Sequence, residues 1–203
     1  MQNIPDKIYS LSPVEVLNGY ANGFFPMGDS KNTIEWYEAD PRAILHIKNP
    51  DDNLKIARSL KQVLKKNVYE IKIDKAFQEV IKKCSERDET WINKIIIDVY
   101  SELHKQGYAH SVEAWKDGKL AGGLYGVALR GAFFGESMFR IEPNASKACV
   151  VKLYDLLKEN NFRLFDIQMM TPVFKSFGAV HISKQEYHME LKEAMRVSRR
   201  FDY

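Results

Sequence analysis

Residues 109–139 read AHSVEAWKDGKLAGGLYGVALRGAFFGESMF. Two strand-like runs, residues 109–116 and 119–129, flank Asp117-Gly118, a pair suited to the tight primed turn of a two-residue hairpin. Arg130-Gly131 turns the chain again into a third run, residues 132–139. Three strands joined this closely make an antiparallel meander, and the meander is the centre of a sheet. Gly122-Gly123-Leu124-Tyr125-Gly126 falls inside the second strand with no helix directly after it. It therefore reads as a site of close strand packing, and a phosphate-binding loop is disfavoured.

Working outward, the spacing predicts a helix over about residues 146–160 and a strand at 162–169. Ser183-Lys184-Gln185-Glu186 is a capping box that opens a last helix. Upstream, residues 68–73 alternate like a strand, and 75–84 and 91–105 read as helices. Residues 53–66 place Leu54, Ala57, Leu60, Val63 and Leu64 at helical spacing, which puts Arg58, Lys61 and Lys65 on the opposite face. Ser12-Pro13-Val14-Glu15 is a second capping box with proline at the first helical position. The aromatic stretch Gly23-Phe24-Phe25-Pro26-Met27-Gly28-Asp29 reads as a packed corner or a ligand wall. The order is α/β (α+β), with a small N-terminal lobe over residues 1–48 and a larger domain over 49–203.

The bulk numbers fit a soluble globular chain. Of 203 residues, 45% are hydrophobic and 28% charged, so a sizeable core is affordable. No run approaches the ~20 apolar residues of a membrane span. The N-terminal MQNIPDKIYS lacks a leader pattern, and Cys84 and Cys149 form no CxxC pair. A reducing cytoplasm is the expected location. Net charge is only +3, but residues 55–66 hold Lys55, Arg58, Lys61, Lys65 and Lys66 with no acid among them. Such a run is either a solvated helix face or a polyanion contact.

Charged groups inside apolar strands are where chemistry is expected. Period two would place Asp166 and Gln168 on one face with Leu164, and Glu136 sits within a second apolar strand. A buried carboxylate is costly unless paired or open to a cleft. Two acids and a glutamine on neighbouring strands leave both a site and a set of satisfied strand-end acids open. His46, His104, His110, His181 and His188 show no ligand spacing, so no metal site is expected.

At this point the sequence resembles a known family. Gly122-Gly123-Leu124-Tyr125-Gly126-Val127, Phe134-Gly135-Glu136-Ser137-Met138-Phe139 and Asn144-Ala145-Ser146-Lys147 are similar, in order, to the signature of the leucyl/phenylalanyl-tRNA–protein transferases. Gly23-Phe24-Phe25-Pro26, Asp40-Pro41-Arg42-Ala43, Thr90-Trp91-Ile92, His110-Ser111-Val112-Glu113, Asp166-Ile167-Gln168 and Ser176-Phe177-Gly178-Ala179 extend the likeness over nearly the whole chain. The resemblance implies an acetyltransferase-like (GNAT-type) larger domain with a mixed, mainly antiparallel sheet. It implies transfer of Leu or Phe, and sometimes Met, from aminoacyl-tRNA to acceptor proteins beginning with Arg or Lys. The product is an N-degron, and no cofactor is needed; a monomer with no membrane contact is expected. The alternative on the same fold is an acyl-CoA-dependent N-acetyltransferase.

Carried over residue by residue, the resemblance assigns Asp166, Gln168 and Glu136 to catalysis. It assigns Leu124, Phe133, Leu157 and Phe165 to the pocket for the transferred side chain, and Met27 and Trp91 to the terminal adenosine. It assigns Arg58 and Lys65 to tRNA binding, and Lys61 and Lys66 of the same basic run are expected to join them. Asp166 is expected to orient the acceptor amine, either as the base that deprotonates it or as a positioner alone. Two departures stand out: Met27 occupies a position where many members carry Trp, and Gln62 replaces a basic residue of the helix.

Overall fold

A computed structural model describes residues 2–87 and 89–203. Met1, the first residue of both the N-terminal stretch and the expected lobe, lies outside the described residues, as does Asp88. The strands are β1 (Gln2–Ile8), β2 (Phe25–Gly28), β3 (Ile34–Glu38), β4 (Arg42–Leu45), β5 (Glu70–Ile73), β6 (Ala109–Lys116), β7 (Lys119–Leu129), β8 (Ala132–Arg140), β9 (Leu164–Asp166) and β10 (Val180–Ile182). The helices are α1 (Pro13–Ala21), α2 (Arg58–Lys65), α3 (Phe77–Ser85), α4 (Lys94–Lys105), α5 (Ala145–Glu159), α6 (Pro172–Phe177) and α7 (Lys184–Met195).

The meander is present as read. Asp117 and Gly118 have φ of 51° and 72°, the two left-handed residues of a primed turn, and β6, β7 and β8 pair antiparallel. After β8 the chain crosses through α5 and returns as β9 parallel to β8. The full order of the larger sheet is β10-β4-β9-β8-β7-β6-β5, a mixed, mainly antiparallel sheet in an α/β chain, as expected. A separate three-stranded sheet, β1-β3-β2, belongs to the N-terminal part. Strand β4 lies before residue 48 yet sits inside the larger sheet. Helices α1, α3, α4 and α7 bury one face of the larger sheet through Tyr20, Val80, Ile96 and Leu191, and α2, α5 and α6 bury the other through Leu60, Leu153 and Phe177. Both capping boxes form, at Ser12–Glu15 and Ser183–Glu186.

Two elements are shorter than their sequence pattern suggests. The helix expected over 53–66 begins only at Arg58. Ala57 offers no capping side chain, and the Lys55 N–H donates to Phe177 O (2.9 Å), which holds the chain extended. In that extended run Leu54 and Ile56 turn inward at period two, a spacing the helical reading misassigned. The strand expected over 162–169 is reduced to β9, because Gln168 takes φ 56° and bends the chain out of the ladder.

Two irregularities matter for the site. Tyr125 is in register with Ser137 and Gly126 with Gly135, so Glu136 has no register partner in β7 and forms a bulge. The bulge switches faces: Phe134 packs with α3 and α4, whereas Met138 packs with α5. At Gly126 a Cβ would lie 2.4 Å from Phe134 O and 2.5 Å from the Phe133 ring, so the bulge closes only over glycine. Gly126→Ala is expected to destabilise the protein by ~1–3 kcal/mol through overpacking, read as a lower urea midpoint at unchanged slope.

Candidate active site

The bulge opens onto a cavity of about 390 Å³. One end is apolar, walled by Leu124, Met138, Leu153, Phe165, Val173 and Phe174. Across from it stand Phe25, Met27 and Trp91. Glu136, Gln168 and Arg87, with Ser137, Thr171 and Tyr125, supply the polar part of the lining. Strands β7, β8 and β9 thus deliver the floor, α5 and α6 one side, and β2 with the segment before α4 the other.

Glu136 is the most constrained group in the lining. Its carboxylate accepts hydrogen bonds from Tyr20 Oη (2.5 Å), Gln168 Nε2 (2.7 Å) and Tyr100 Oη (3.2 Å). The Tyr20 and Tyr100 hydroxyls also touch one another. Burial pushes the Glu136 carboxyl up to about 7, outweighing these three donors, each of which favours the ionised form. The same burial, reinforced by Glu136, raises Tyr20 and Tyr100 well above the ordinary phenol value, so both stay protonated donors. On the cavity rim Arg87 Nη2 donates to Ser137 Oγ (3.3 Å) and to Met138 O.

A second polar cluster stands behind the first. Arg42 and Asp166 are both fully buried and paired in a bidentate geometry, Nη2 to Oδ2 at 2.7 Å and Nε to Oδ1 at 3.0 Å. Tyr187 Oη donates to Asp166 Oδ2 (2.7 Å), and the backbone N–H of Gln168 to Oδ1 (2.8 Å). Arg42 Nη1 donates to Gly23 O (3.0 Å), and its guanidinium lies 4.3 Å from the centre of the Tyr187 ring and 4.9 Å from that of Phe25. Burial alone would lower the Arg42 pKa; the charge and hydrogen bonds of Asp166, with Tyr187 and Tyr20 beside it, together outweigh burial and raise it. Gln168 joins the clusters: its backbone is held by Asp166 and its amide reaches Glu136.

The sequence matches the family model of the leucyl/phenylalanyl-tRNA protein transferases over residues 48–192 and that family's N-terminal domain over residues 9–40. The chain belongs to this family. A leucyl/phenylalanyl-tRNA–protein transferase of Rubrobacter xylanophilus is 46% identical over 192 residues, covering 94% of this chain and 98% of the relative. One from Herpetosiphon aurantiacus is 46% identical over 191 residues with the same coverage, and one from Synechocystis is 42% identical over 176. Among solved structures, L-PGS from Bacillus licheniformis is similar at a TM-score of 0.43 and 10% identity, over 92% of this chain and 64% of that one.

For a member of this family, the geometry sorts the residues carried over from sequence. Glu136 and Gln168 meet directly in the cavity, and Leu124, Phe165, Met27 and Trp91 line it. Phe133 and Leu157, expected in the side-chain pocket, are not in its wall. Phe133 is fully buried behind Phe165, ring centres 5.8 Å apart and edge to face. Leu157 lies in the same core; Leu153, one turn earlier on the same stripe of α5, is the residue that reaches the cavity. Asp166 does not face the cavity either. Its oxygens accept from Arg42, Tyr187 and the Gln168 N–H, and the last of these bonds holds the backbone of Gln168. Arg58, Lys61, Lys65 and Lys66 are all exposed on or just after α2. None of the four makes an ion pair among the described residues.

The reading of the sequence did not assign Arg42, Tyr20, Tyr100, Tyr187 or Arg87. Arg42 carried a usable signal, since it opens the apolar strand Arg42-Ala43-Ile44-Leu45. The tyrosines sit on apolar helix faces and read as core. Removing the cation alone leaves a buried charge unpaired, so Arg42→Met is expected to cost about 3–5 kcal/mol in chemical denaturation. The double variant Arg42→Met with Asp166→Leu should recover most of that loss, and additive effects of the two changes would contradict the pairing.

Proposed function

We propose that this chain transfers leucyl or phenylalanyl, and also methionyl, groups from aminoacyl-tRNA to the α-amine of proteins that begin with Arg or Lys, acting as a cytoplasmic monomer whose products are N-degrons. The observation that carries this reading is the single cavity in which an apolar end and the Glu136–Gln168 pair meet, in a chain of this family. Among the described residues no helix is long and apolar enough to cross a membrane. The acyl-CoA alternative needs a pyrophosphate loop; the β8–α5 junction reads Ile141-Glu142-Pro143-Asn144, without glycine, and the glycines of β7 are filled in by Ala145, Phe139 and Phe133.

The reaction is aminolysis of an activated ester. The acceptor nitrogen bonds to the ester carbon, the bond to the ribose oxygen breaks, the amine gives up a proton, and the ribose hydroxyl regains one. A free α-amine titrates near 7.7–8.0, so a useful fraction is already nucleophilic at neutral pH. The protein's contribution is to hold amine and ester together and to accept the proton. Leu124, Leu153, Phe165 and Phe174 surround the transferred side chain, and Met27 and Trp91 lie against the terminal adenosine. Glu136 is the carboxyl group of the cavity lining. Glu136 takes the proton that the attacking amine gives up, Gln168 fixes the orientation of Glu136, and Asp166 fixes Gln168. The exposed cations of α2 contact phosphates of the tRNA body, through charge and without base reading.

The test is one assay, charged tRNA with an Arg-starting peptide, read as a mass gain of one leucyl or phenylalanyl residue. Uncharged tRNA, or acetyl-CoA without tRNA, should give no product. Its pH dependence follows from Glu136. The carboxyl must be ionised and the amine neutral, so kcat/KM for the peptide should rise with two ionisations below about pH 7 and with one between about pH 7 and 8. In Glu136→Gln the first ionisation should vanish from a profile lowered by ~10²–10⁴-fold. A profile of unchanged shape would remove Glu136 from the chemistry. Arg58→Ala with Lys65→Ala should raise KM for charged tRNA and flatten the salt slope by about one to two units, with little effect on an aminoacyl-adenosine donor.

A further inference from the structure

The wall of the cavity is backed by a column of phenylalanines that starts at the end of the chain. Phe174 meets Phe165 edge to face (6.4 Å between ring centres), Phe165 meets Phe133 edge to face (5.8 Å), and Phe133 stacks on Phe201 (5.5 Å, 27°). Phe201 in turn stacks on His110 (4.3 Å, 25°), whose Nδ1 is 2.7 Å from Asp74 Oδ2. Phe201 is buried although it belongs to no helix or strand, and it is absent from the cavity lining. Its position is fixed on both sides by backbone acceptors: Arg199 Nε donates to Asn161 O (3.0 Å), and Asn160 Nδ2 to Asp202 O (2.8 Å). Both partners lie at the C-terminal end of α5.

We propose that Phe201 is a positioning residue for donor selection: through Phe133 it sets where Phe165 stands, and so the depth of the apolar end of the cavity. The proposal rests on the reading above that this end holds the transferred side chain. Interiors are packed with almost no slack, so loss of a ring at one end of a column is taken up by movement along it. A pocket that separates leucyl from phenylalanyl works on differences of a few methylene groups, so a shift of a few tenths of an ångström in Phe165 alters the outcome. Phe133 has no such freedom on its other sides, being fully buried and pressed against Gly126 of the bulge.

The experiment compares kcat/KM for Leu-tRNA and Phe-tRNA, with one Arg-starting peptide, at a temperature where every variant is folded. Phe201→Leu should change the ratio of the two donors by at least about threefold, less than the roughly tenfold or more of a methylene in direct contact with ligand. Phe201→Tyr, which keeps the ring, should hold the wild-type ratio. Leu103→Ala, in the core on the opposite face of the sheet, should lower stability and leave the ratio unchanged. Phe165→Val tests the pocket itself. If Phe165→Val changes the ratio and Phe201→Leu lowers both donors equally, the column does not transmit and the proposal is overturned while the pocket reading stands. If neither changes the ratio, the pocket reading fails and the proposal with it. Should Phe201→Leu not give folded protein, Phe201→Trp, which keeps a ring and enlarges it, carries the same expectation.

Discussion

The arrangement around the cavity depends on a charge that cannot be left alone. Arg42 and Asp166 stand 124 residues apart in sequence on adjacent strands, and both are sealed from water. A buried ion pair seldom adds net stability, since desolvation consumes much of the Coulomb gain. What it imposes is uniqueness. Each remaining donor and acceptor must also be satisfied, and the partners come from four places: Gly23 after α1, Phe25 on β2, Tyr187 on α7 and Gln168 after β9. Satisfying one guanidinium and one carboxylate therefore fixes the small sheet, the last helix and the polar edge of the cavity relative to the larger sheet.

The second constraint is the bulge. With Glu136 inserted between Gly135 and Ser137, its carboxylate meets Tyr20 and Tyr100, which pack on the Phe134 face, and also reaches Gln168 in the cavity lining. The surroundings are balanced. Three donors favour the carboxylate, burial disfavours it more, and the result is an acid poised near neutrality. Asp166 is in contact with the Arg42 cation and accepts as well from Tyr187 and the Gln168 N–H. In the proposed mechanism Asp166 holds geometry and Glu136 exchanges a proton with the incoming amine.

Features that depend on neighbours in sequence were legible in it. The Asp117-Gly118 turn, the two serine capping boxes and the meander all follow from local chemistry, and each formed. The meeting of Glu136 and Gln168 is anticipated through the family resemblance, since the strand pattern alone leaves a site and satisfied strand-end acids both open. Features set by distant contacts were not legible. Period two carried Asp166 and Gln168 to one face, but the left-handed turn at Gln168 and the Arg42 pair gave them separate tasks. Residues 53–57 looked helical because apolar residues at 54, 57 and 60 fit that spacing. Alternation at 54 and 56 fits an extended run equally well, and the contact with Phe177 O decided it. Phe133 and Leu157 fell behind the pocket wall, because a sequence shows which residues are apolar and not how deep a cavity cuts between them.

That extended run ties the two ends of the proposed donor together. Through Lys55 N–H and Phe177 O it hangs on α6, and the Lys55 stem packs against Gly178, whose φ of 95° ends that helix. Helix α6 also carries Phe174 into the cavity wall. The exposed cations of α2 begin three residues after Lys55, so the basic face is referenced to the same helix that walls the apolar end. A tRNA body resting on α2 and an aminoacyl group resting on Phe174 are then positioned by one element. Phosphate contacts alone carry no sequence information, and an apolar pocket alone cannot tell a charged tRNA from a free amino acid ester. In the proposed reading, coupling both to α6 lets affinity come from the body while discrimination comes from the side chain.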